Sequence, residues 1–507
     1  MQLESRDTHL RLASMKFSTL FAISFLAFVS FSPVFGHVGR GFSVPHIQHA
    51  STPYRVFSKR AMPTNMGEMA KIYDESKACN GGDLANSSKM RKVYPKDNNI
   101  ASILDDDDEA KQVWQEIKDS GIIPQDVSVK KGVEHHMGVS DETSDSYDND
   151  KDPDCWWTAT MCTKPKAKAL SSDIYACPEP KTYGLTFDDG PNCTHNKFYD
   201  FLKDHKLRAT MFFIGANVFD NPLQAQRALA DGHDVCVHTW SHHYMTTLSD
   251  EQVFAELYYT IRIIKDVMGV TTQCWRPPFG DVDDRVRAIA AGLGLRTVLW
   301  SNDTDDWNIT PDGNAATSQI DANYESIASK AAKQTADGVI VLSHELIDNT
   351  MGEFMKKYSK LEKNYQHITP LTACMNVSHP YQEEKPVYPT FDEFVQGKVG
   401  AREIFDINSF QGTVASRIKI EPLNKQTAPG HFSNSSPPPS KHNPQGHGKT
   451  DTSSSSSNSS DSSNSSDKSD SSNSMPKHSP DSSSSSVSSI SPCLLFILVA
   501  ISTVFIL

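Results

Sequence analysis

Short apolar runs recur along the middle of the chain, between about Cys155 and Tyr388, and amphipathic stretches separate them. The runs have the length of buried strands and are Tyr183–Phe187, Ala209–Ile214, His233–Val237, Thr297–Trp300 and Val339–Leu342. The stretches between them space their apolar residues as helices do, for example in Phe198–His205, Leu223–Ala230, Asp250–Met268 and Val282–Leu293. Strands that alternate with helices predict an α/β domain over residues 155–395, built on a parallel sheet or barrel.

The preceding stretch, residues 37–154, has few sustained apolar periods and carries acidic runs such as Asp105–Glu109. Only Val113–Ile123 fits a short helix. We therefore expect an acidic extension or pro-region that is partly disordered. Lys59 and Arg60 form a dibasic pair that a secretory-pathway protease would recognise, although surface pairs of this kind are common without cleavage.

The first residues have the pattern of a secretory signal peptide. Basic residues up to Lys16 precede an apolar run, Phe17–Phe35, and Val34 and Gly36 are small enough for the -3 and -1 positions of a cleavage site. We expect a signal peptide over residues 1–36 and a mature chain that begins near His37. An uncleaved membrane anchor is the alternative, but the run is short and is interrupted by serine and proline.

The last hundred or so residues divide into a spacer and an apolar tail. Residues 396–484 are rich in serine and proline and cannot bury a core, so we expect a low-complexity spacer. Small residues then lead into the apolar run Cys493–Leu507. This order is typical of a glycosylphosphatidylinositol (GPI) signal over residues 485–507, with attachment somewhere in Asp481–Ser484. A retained tail anchor is the alternative.

The charge balance excludes several classes of protein. The chain has 49 Lys and Arg against 62 Asp and Glu, a net charge of -13, which argues against a protein that holds nucleic acid by its phosphates. Only 37% of the residues are hydrophobic, which fits long polar segments beside one folded domain. Collagen-like, coiled-coil and multi-span membrane folds are therefore excluded.

The nine cysteines agree with secretion. Without Cys493 in the tail, an even number remains, which favours disulfides over a thiolate metal site. Cys155 and Cys162 are close enough in sequence to close a small loop.

Chemically active residues follow the predicted strands. Asp188 and Asp189 follow the first strand, and the third leads into His238 and His242. The carboxyl ends of parallel strands meet at the edge where ligands bind, and a spacing of four residues lets both histidines face one point. Two imidazoles and one carboxylate suit a catalytic zinc ion. Taken alone, the acidic pair would fit an ordinary Asp-Gly-Pro turn, and the histidines an unrelated surface pair.

Three further segments lie at the same predicted edge. Arg276 to Gly280 form a proline-rigid turn that can hold a guanidinium beside a carboxylate and present a backbone N–H to a bound oxygen. Asp303 to Trp307 follow a strand, and Ser343, His344 and Glu345 follow another. A third histidine is therefore expected at this rim.

These segments resemble the five motifs of the polysaccharide deacetylases, carbohydrate esterase family four. They occur in the family's order over about Lys181 to Glu345, as Thr186–Pro191, His238–His242, Arg276–Gly280, Asp303–Trp307 and Leu342–Glu345. With the signal peptide, the spacer and the GPI-like tail, the chain is most similar to the fungal, wall-associated chitin deacetylases of this family. The resemblance covers less than half of the chain.

The resemblance implies a distorted (β/α) barrel with one divalent metal ion, zinc in most members and an ion such as cobalt in others. Asp189, His238 and His242 would be its ligands. It also implies hydrolysis of the N-acetyl groups of chitin or chitin oligosaccharides, to give chitosan and acetate at the fungal cell wall. We expect a monomer without a nucleic-acid partner.

The resemblance also implies roles for the other motif residues. Asp188 would act as general base and be oriented by Arg276, and His344 would act as general acid and be oriented by Asp306. The backbone N–H of Phe279 would bind the developing oxyanion, and Trp307 and Leu342 would line the pocket for the acetyl methyl group. These residues also have structural explanations. Arg276 could form an ordinary surface ion pair, and Trp307 and Leu342 could be ordinary core residues.

Two other functions remain open from the sequence. An O-acetyl esterase acting on a polysaccharide such as xylan would use the same site. A non-catalytic carbohydrate-binding wall protein would keep the fold but lose a ligand or the base, and none is missing here. Asn302 begins a glycosylation sequon inside the fourth motif, and we expect it to be unmodified because a glycan there would block the cleft.

Positions along the predicted barrel suggest two disulfides. Cys177 precedes the first strand and Cys374 follows the last motif, so a bond between them would join the two ends of the barrel. Cys236 and Cys274 each stand two residues before a predicted site residue, on strands that we expect to be neighbours.

Overall fold

The computed structural model describes residues 63–398 apart from 81–83, 85–86, 97–98 and 310–316, together with 407, 410–416, 418–420 and 431–432. The predicted signal peptide, the Lys59-Arg60 pair, the serine-rich part of the spacer and the GPI signal lie outside these residues.

A curled half-barrel of eight parallel strands forms the centre of the fold. Its strands are β1 Thr182–Gly190, β2 Thr210–Phe213, β3 Asp234–Val237, β4 Cys274–Trp275, β5 Arg296–Thr297, β6 Asn302–Asp303, β7 Val339–Leu342 and β8 His367–Thr369. The order is β5-β4-β3-β2-β1-β7-β6, and β8 also pairs with β1. Strands β1, β2, β3 and β7 are buried almost throughout, as expected of a sheet covered on both faces.

Helices follow most of the strands. Before the sheet lie α1 Met66–Met69, α2 Glu75–Ala78, α3 Ser87–Met90, α4 Asp108–Asp119, α5 Asp141–Ser146 and α6 Trp157–Thr160. After β1 come α7 Asn196–Asp204, α8 Gly215–Asp220, α9 Pro222–Ala230, α10 Asp250–Met268, α11 Asp284–Gly292, α12 Thr317–Lys330, α13 Asp348–Asn364, α14 Leu371–Cys374 and α15 Phe391–Val395. Among the described helices, none is both long enough and apolar enough to cross a membrane.

Helix α10 is the longest helix beside the sheet, and local sequence fixes both of its ends. Ser249 and Gln252 form a capping box that satisfies free amides at the first turn. At the other end, Gly269 takes the left-handed conformation that stops a helix, with φ 80°. Almost every residue from Val253 to Met268 is buried, so α10 is core on nearly all sides.

The fold confirms the predicted α/β class and the distorted parallel barrel. The predicted strand Val339–Leu342 matches β7, and the predicted helix Asp250–Met268 matches α10. Strands β4 and β6 have two residues each and β8 has three, too few to produce a period in the sequence, so the pattern did not reveal them.

The described residues between 63 and 154, called here the N-terminal segment, are folded against the sheet domain. Met69, Leu84, Tyr94, Trp114 and Ile117 are buried in the same hydrophobic core as the residues of β1 to β3. We expected residues 37–154 to be an acidic extension or pro-region that is partly disordered, and the described part of this stretch is instead packed on the core. The buried residues occur singly among acidic and polar neighbours, so they give almost no local apolar period.

Polar contacts fix the N-terminal segment to α10. Tyr94 donates a hydrogen bond of 2.6 Å to Asp266, and Tyr259 donates one of 3.2 Å to Asp107. Asp107 caps the start of α4 and also pairs with Arg262 on α10. The acidic run Asp105–Glu109 therefore supplies a helix cap and an ion-pair partner.

The described chain contains four disulfides, and two of them confirm the pairs expected from sequence. Cys177–Cys374 joins the approach to β1 with α14, and Cys236–Cys274 joins the neighbouring strands β3 and β4. Cys155–Cys162 closes the short loop that the sequence allowed. Cys79–Cys193 links the N-terminal segment to the stretch between β1 and α7, a pairing that the sequence did not reveal.

We predict that Trp114→Ala lowers the free energy of unfolding by about 3–5 kcal/mol, because it empties a core position. Trp114 is 7% exposed and packs against Phe254 of α10, with ring centroids 5.2 Å apart. Urea unfolding of the full chain with its disulfides intact measures the change. Gln115→Ala, on the exposed side of α4, should change it by no more than about 0.5 kcal/mol. Equal stability of both variants would mean that the N-terminal segment is not part of the core.

Candidate metal and catalytic site

The predicted site residues meet at the carboxyl ends of the strands. Asp188 and Asp189 end β1, and His238 directly follows β3. Arg276 follows β4, and His344 lies just beyond β7, where it forms an isolated parallel bridge with Asp188. This edge is where parallel α/β folds bind their ligands.

The loop His238–His242, called here the histidine loop, has an unusual backbone. Thr239 and His242 have φ values of 63° and 57°, in the left-handed region that side chains other than glycine rarely adopt. Such residues cost about 1–3 kcal/mol each, so the surroundings must hold them in place. Gly215 and Ala216 donate backbone hydrogen bonds of 2.9 and 3.1 Å to the carbonyls of Thr239 and Trp240.

Asp189, His238 and His242 present three ligand atoms that lie within 4.8 Å of one another. Oδ1 of Asp189 is 3.4 Å from Nε2 of His238 and 3.3 Å from Nε2 of His242. That oxygen is buried and has no hydrogen-bond partner of good geometry among the described residues. A buried carboxylate oxygen of this kind needs a cation or a donor, and both imidazoles face it.

The hydrogen bond of His238 and the pKa shifts of Asp189 and His242 fit a divalent cation. Nδ1 of His238 lies 2.8 Å from the carbonyl oxygen of Arg276, which favours the proton on Nδ1 and leaves Nε2 with a free lone pair. Burial lowers the pKa of His242 to about 4, so its ring is neutral at pH 7. Burial raises the pKa of Asp189, but the neighbouring imidazoles outweigh it and the pKa is lowered. Neutral imidazoles and a carboxylate are the ligand forms that zinc requires.

A second cluster of possible ligand atoms, Asp152 with Cys155 and Cys162, has a different explanation. The two cysteines are bonded to each other and have no thiolate to offer a metal.

Asp188 is held by a buried arginine. Nη1 of Arg276 donates a 2.8 Å hydrogen bond to Oδ1 of Asp188 and one of 2.9 Å to the hydroxyl of Thr186. The guanidinium lies 4.1 Å from the centre of the Phe212 ring. Oδ2 of Asp188 remains on the side of the candidate ligands, 3.7 Å from Nε2 of His238. The two adjacent carboxylates therefore have different surroundings: Asp188 lies beside the guanidinium of Arg276, and Asp189 lies between the imidazoles of His238 and His242.

His344 forms a buried pair with Asp306. Its Nδ1 lies 2.6 Å from Oδ1 of Asp306, and its backbone N–H donates 2.9 Å to Oδ2 of the same carboxylate. Burial alone would lower the pKa of His344, but the charge and hydrogen bond of Asp306 raise it to about 10. Asp189 and Asp188 act in the same direction, so His344 is near both carboxylates.

The three residues predicted to contact substrate lie around these groups. Phe279 has left-handed φ 59°, is 39% exposed and places its ring 4.7 Å from that of His242. Trp307 follows Asp306 and is 46% exposed, whereas Leu342 at the end of β7 is buried. The ring of Tyr244 stacks on Phe279 at 4.2 Å, a contact that no spacing rule in the sequence suggested.

The structure adds a buried network that the sequence did not reveal. Glu345, next to His344, accepts a hydrogen bond of 2.8 Å from Tyr199 and one of 2.9 Å from the backbone N–H of Asn192, and lies 2.7 Å from Nδ1 of His195. Its own N–H donates 2.8 Å to the carbonyl of Asp188. This network fixes the turn after β1 to the turn after β7. Its members are separated by about 150 residues, so no local motif joins them.

Comparisons with known proteins identify the family of this chain. A family model described as Polysaccharide deacetylase matches residues 175–298, which include the acidic pair, the histidine loop and Arg276. Chitin deacetylase 2 of Cryptococcus neoformans var. grubii is 44% identical over 341 residues, 67% of this chain and 74% of that protein. Chitin deacetylase of Amylomyces rouxii is 48% identical over 243 residues, 47% of this chain and 56% of that protein.

Among solved structures, the chitin deacetylase of Colletotrichum lindemuthianum matches with 27% identity and a TM-score of 0.37, over 40% of this chain and 92% of that one. The identity and coverage of the Cryptococcus relative, together with the family match, establish membership. The chain belongs to the polysaccharide deacetylase family, carbohydrate esterase family four, a family of hydrolases.

Proposed function

We propose that this protein hydrolyses the N-acetyl groups of chitin to give chitosan and acetate, with one divalent metal ion, zinc, held by Asp189, His238 and His242. The observation that carries the proposal is the meeting of this ligand set with the Asp188–Arg276 and His344–Asp306 pairs at one sheet edge. The names of the fungal relatives support chitin as the substrate.

The reaction adds water to the acetamide carbonyl and breaks its C–N bond, so one group must take a proton and another must give one. When bound, a zinc ion lowers the pKa of water and polarises a carbonyl oxygen. Asp188 accepts the proton of the attacking water at Oδ2. Oδ1 accepts a hydrogen bond from Arg276, which orients the carboxylate.

His344 supplies the proton for the leaving amine. Its Nδ1 is engaged by Asp306, so the proton to be donated is on Nε2. With a pKa raised to about 10, the ring is protonated at neutral pH. The nitrogen of the sugar receives this proton as the C–N bond breaks, and acetate is the second product.

The remaining residues contact the acetyl group. The backbone N–H of Phe279 binds the carbonyl oxygen as it gains negative charge, an arrangement typical of acyl transfer. Trp307 and Leu342 line the pocket for the methyl group. The half-exposed ring of Trp307 and the buried side chain of Leu342 support these roles.

We also propose that the protein is secreted and is held at the plasma membrane or the cell wall by a GPI anchor. The four disulfides support an oxidising compartment. The signal peptide of residues 1–36 and the attachment signal of residues 485–507 are sequence patterns outside the described residues.

We predict that Asp188→Asn lowers the rate of acetate release from chitin oligosaccharides by about 100-fold or more, because the general base is lost. The metal content should stay unchanged, since Asp188 is not in the ligand set. A chelator should abolish release by the unsubstituted protein, and added zinc should restore it. Asp204→Asn, at the exposed end of α7, is the matched control and should keep full activity.

The same assay on acetylated xylan and peptidoglycan tests the substrate class. Release from xylan but not from chitin would replace the proposal with an O-acetyl esterase. A protein that binds zinc and releases acetate from none of the three would instead be a carbohydrate-binding protein.

We predict that Asp306→Asn moves the alkaline limb of the pH–rate profile to lower pH. The Asp306 carboxylate stabilises the charged ring and so raises the pKa of His344; a neutral amide removes this effect, and the acid loses its proton at lower pH. The pH dependence of kcat measures the shift. Asp305→Asn is the control, because Asp305 accepts instead from Asn323. An alkaline limb that does not move would contradict the role of His344.

We predict that phosphatidylinositol-specific phospholipase C releases the full-length protein from membranes of the producing cells, because the anchor is a lipid joined to Asp481–Ser484. A chain that ends at residue 484 should be secreted without the enzyme. Protein that stays with the membrane after treatment, and that carries residues 485–507 by mass spectrometry, would indicate a retained tail anchor.

A further inference from the structure

Glu256 of α10 lies directly beneath the histidine loop and is fully buried. Its Oε2 accepts hydrogen bonds from the backbone N–H groups of Trp240 and Ser241, both at 2.8 Å. Its Oε1 accepts from the hydroxyl of Ser241 at 2.6 Å and from the backbone N–H of Ala101 at 2.7 Å. One carboxylate therefore receives four hydrogen bonds, three of them from the loop between the candidate ligands His238 and His242.

The histidine loop needs this support. Thr239 and His242, which have left-handed φ values, flank Trp240 and Ser241, and the N–H groups of these two residues donate to Glu256. Buried N–H groups without an acceptor are strongly unfavourable, and Glu256 is the acceptor for both. Burial raises the pKa of Glu256, while its hydrogen bonds oppose that effect.

The loop is also held through the side chain of Trp240. Its ring is completely buried and lies so close to Gly215 that a Cβ on that glycine would be 2.6 Å from it. Tyr94 of the N-terminal segment stacks on Trp240, with centroids 5.7 Å apart and planes 3° from parallel. Together with the N–H of Ala101, this stack brings the N-terminal segment into contact with the support of the loop.

We propose that Glu256 is a positioning residue for the metal centre: it fixes the histidine loop so that His238 and His242 face one point, and it ties the N-terminal segment to that loop. This inference rests on the proposed metal site and goes beyond the ligands themselves. The N-terminal segment then contributes to the metal centre, because the backbone N–H of Ala101 donates to the same carboxylate that holds the histidine loop.

Glu256→Gln tests the proposal because glutamine has the same size but offers only one oxygen. Its NH2 group would face N–H donors that need an acceptor, so the loop must rearrange. We expect a zinc affinity about 10- to 100-fold weaker, the range seen when groups that orient metal ligands are changed. Competition with a chromophoric chelator measures the affinity on the secreted full-length chain, without reference to its activity.

Two control variants separate positioning from general loss of stability. Glu251→Gln makes the same chemical change on an exposed turn of α10 and should leave the affinity unchanged. Ile327→Ala removes a buried side chain from α12 and lowers stability without touching the histidine loop. Its folded form should bind zinc as tightly as the unsubstituted protein.

Zinc affinity of Glu256→Gln equal to that of the unsubstituted protein would overturn the proposal, as would an equal loss in Ile327→Ala. If Glu256→Gln is not secreted, Ser241→Ala decides the question, because it removes the hydroxyl donor to the carboxylate and leaves the two backbone donors of the loop in place. The same hydroxyl also lies 2.9 Å from Nδ1 of His243, which is not in the ligand set. A smaller but measurable loss of affinity is expected there, and no loss would contradict the role of Glu256. If the unsubstituted protein binds zinc but releases no acetate, the proposed function is contradicted. The role of Glu256 is still tested by the zinc affinities of the variants.

Discussion

The carboxylate of Asp189 and the imidazoles of His238 and His242 converge on one point because parts of the backbone adopt conformations that cost free energy. Asp189, Thr239 and His242 all have left-handed φ values, between 57° and 71°, and none is glycine. These conformations place the ligand atoms within 4.8 Å of one another, and they persist only because buried hydrogen bonds hold them. Glu345 accepts a hydrogen bond from the turn after β1, and Glu256 accepts from the histidine loop, so buried carboxylates lie beside both segments that carry the candidate ligands.

At the carboxyl edge of the sheet, residues of the same type have different partners and different pKa values. Asp188 and Asp189 are neighbours in sequence, yet one is held by Arg276 and the other lies between His238 and His242. The two types of histidine diverge as well: burial lowers the pKa of His242 to about 4, whereas Asp306 raises that of His344 to about 10. Environments that push pKa values apart are what acid–base chemistry at neutral pH requires.

The sequence predicted the elements that have a sustained apolar pattern and the site residues that follow predicted strands. The strand β7, the helix α10 and the acidic pair and histidines at strand ends could all be predicted, and so could Cys177–Cys374. The N-terminal segment could not, because its buried residues stand singly among acidic ones. Glu256 was also hidden, since a glutamate within an amphipathic helix looks like a solvent-exposed residue until its partners from the histidine loop and Ala101 are known. Contacts between residues far apart in sequence leave no local pattern.

The most direct measurement is X-ray diffraction at the zinc absorption edge from crystals of the secreted, zinc-loaded protein. The proposed metal site requires one strong anomalous peak in contact with Asp189, His238 and His242, with Asp188 and His344 beside it and outside the ligand set. A peak elsewhere, or none in crystals of protein that contains stoichiometric zinc, would contradict the metal site and with it the proposed function.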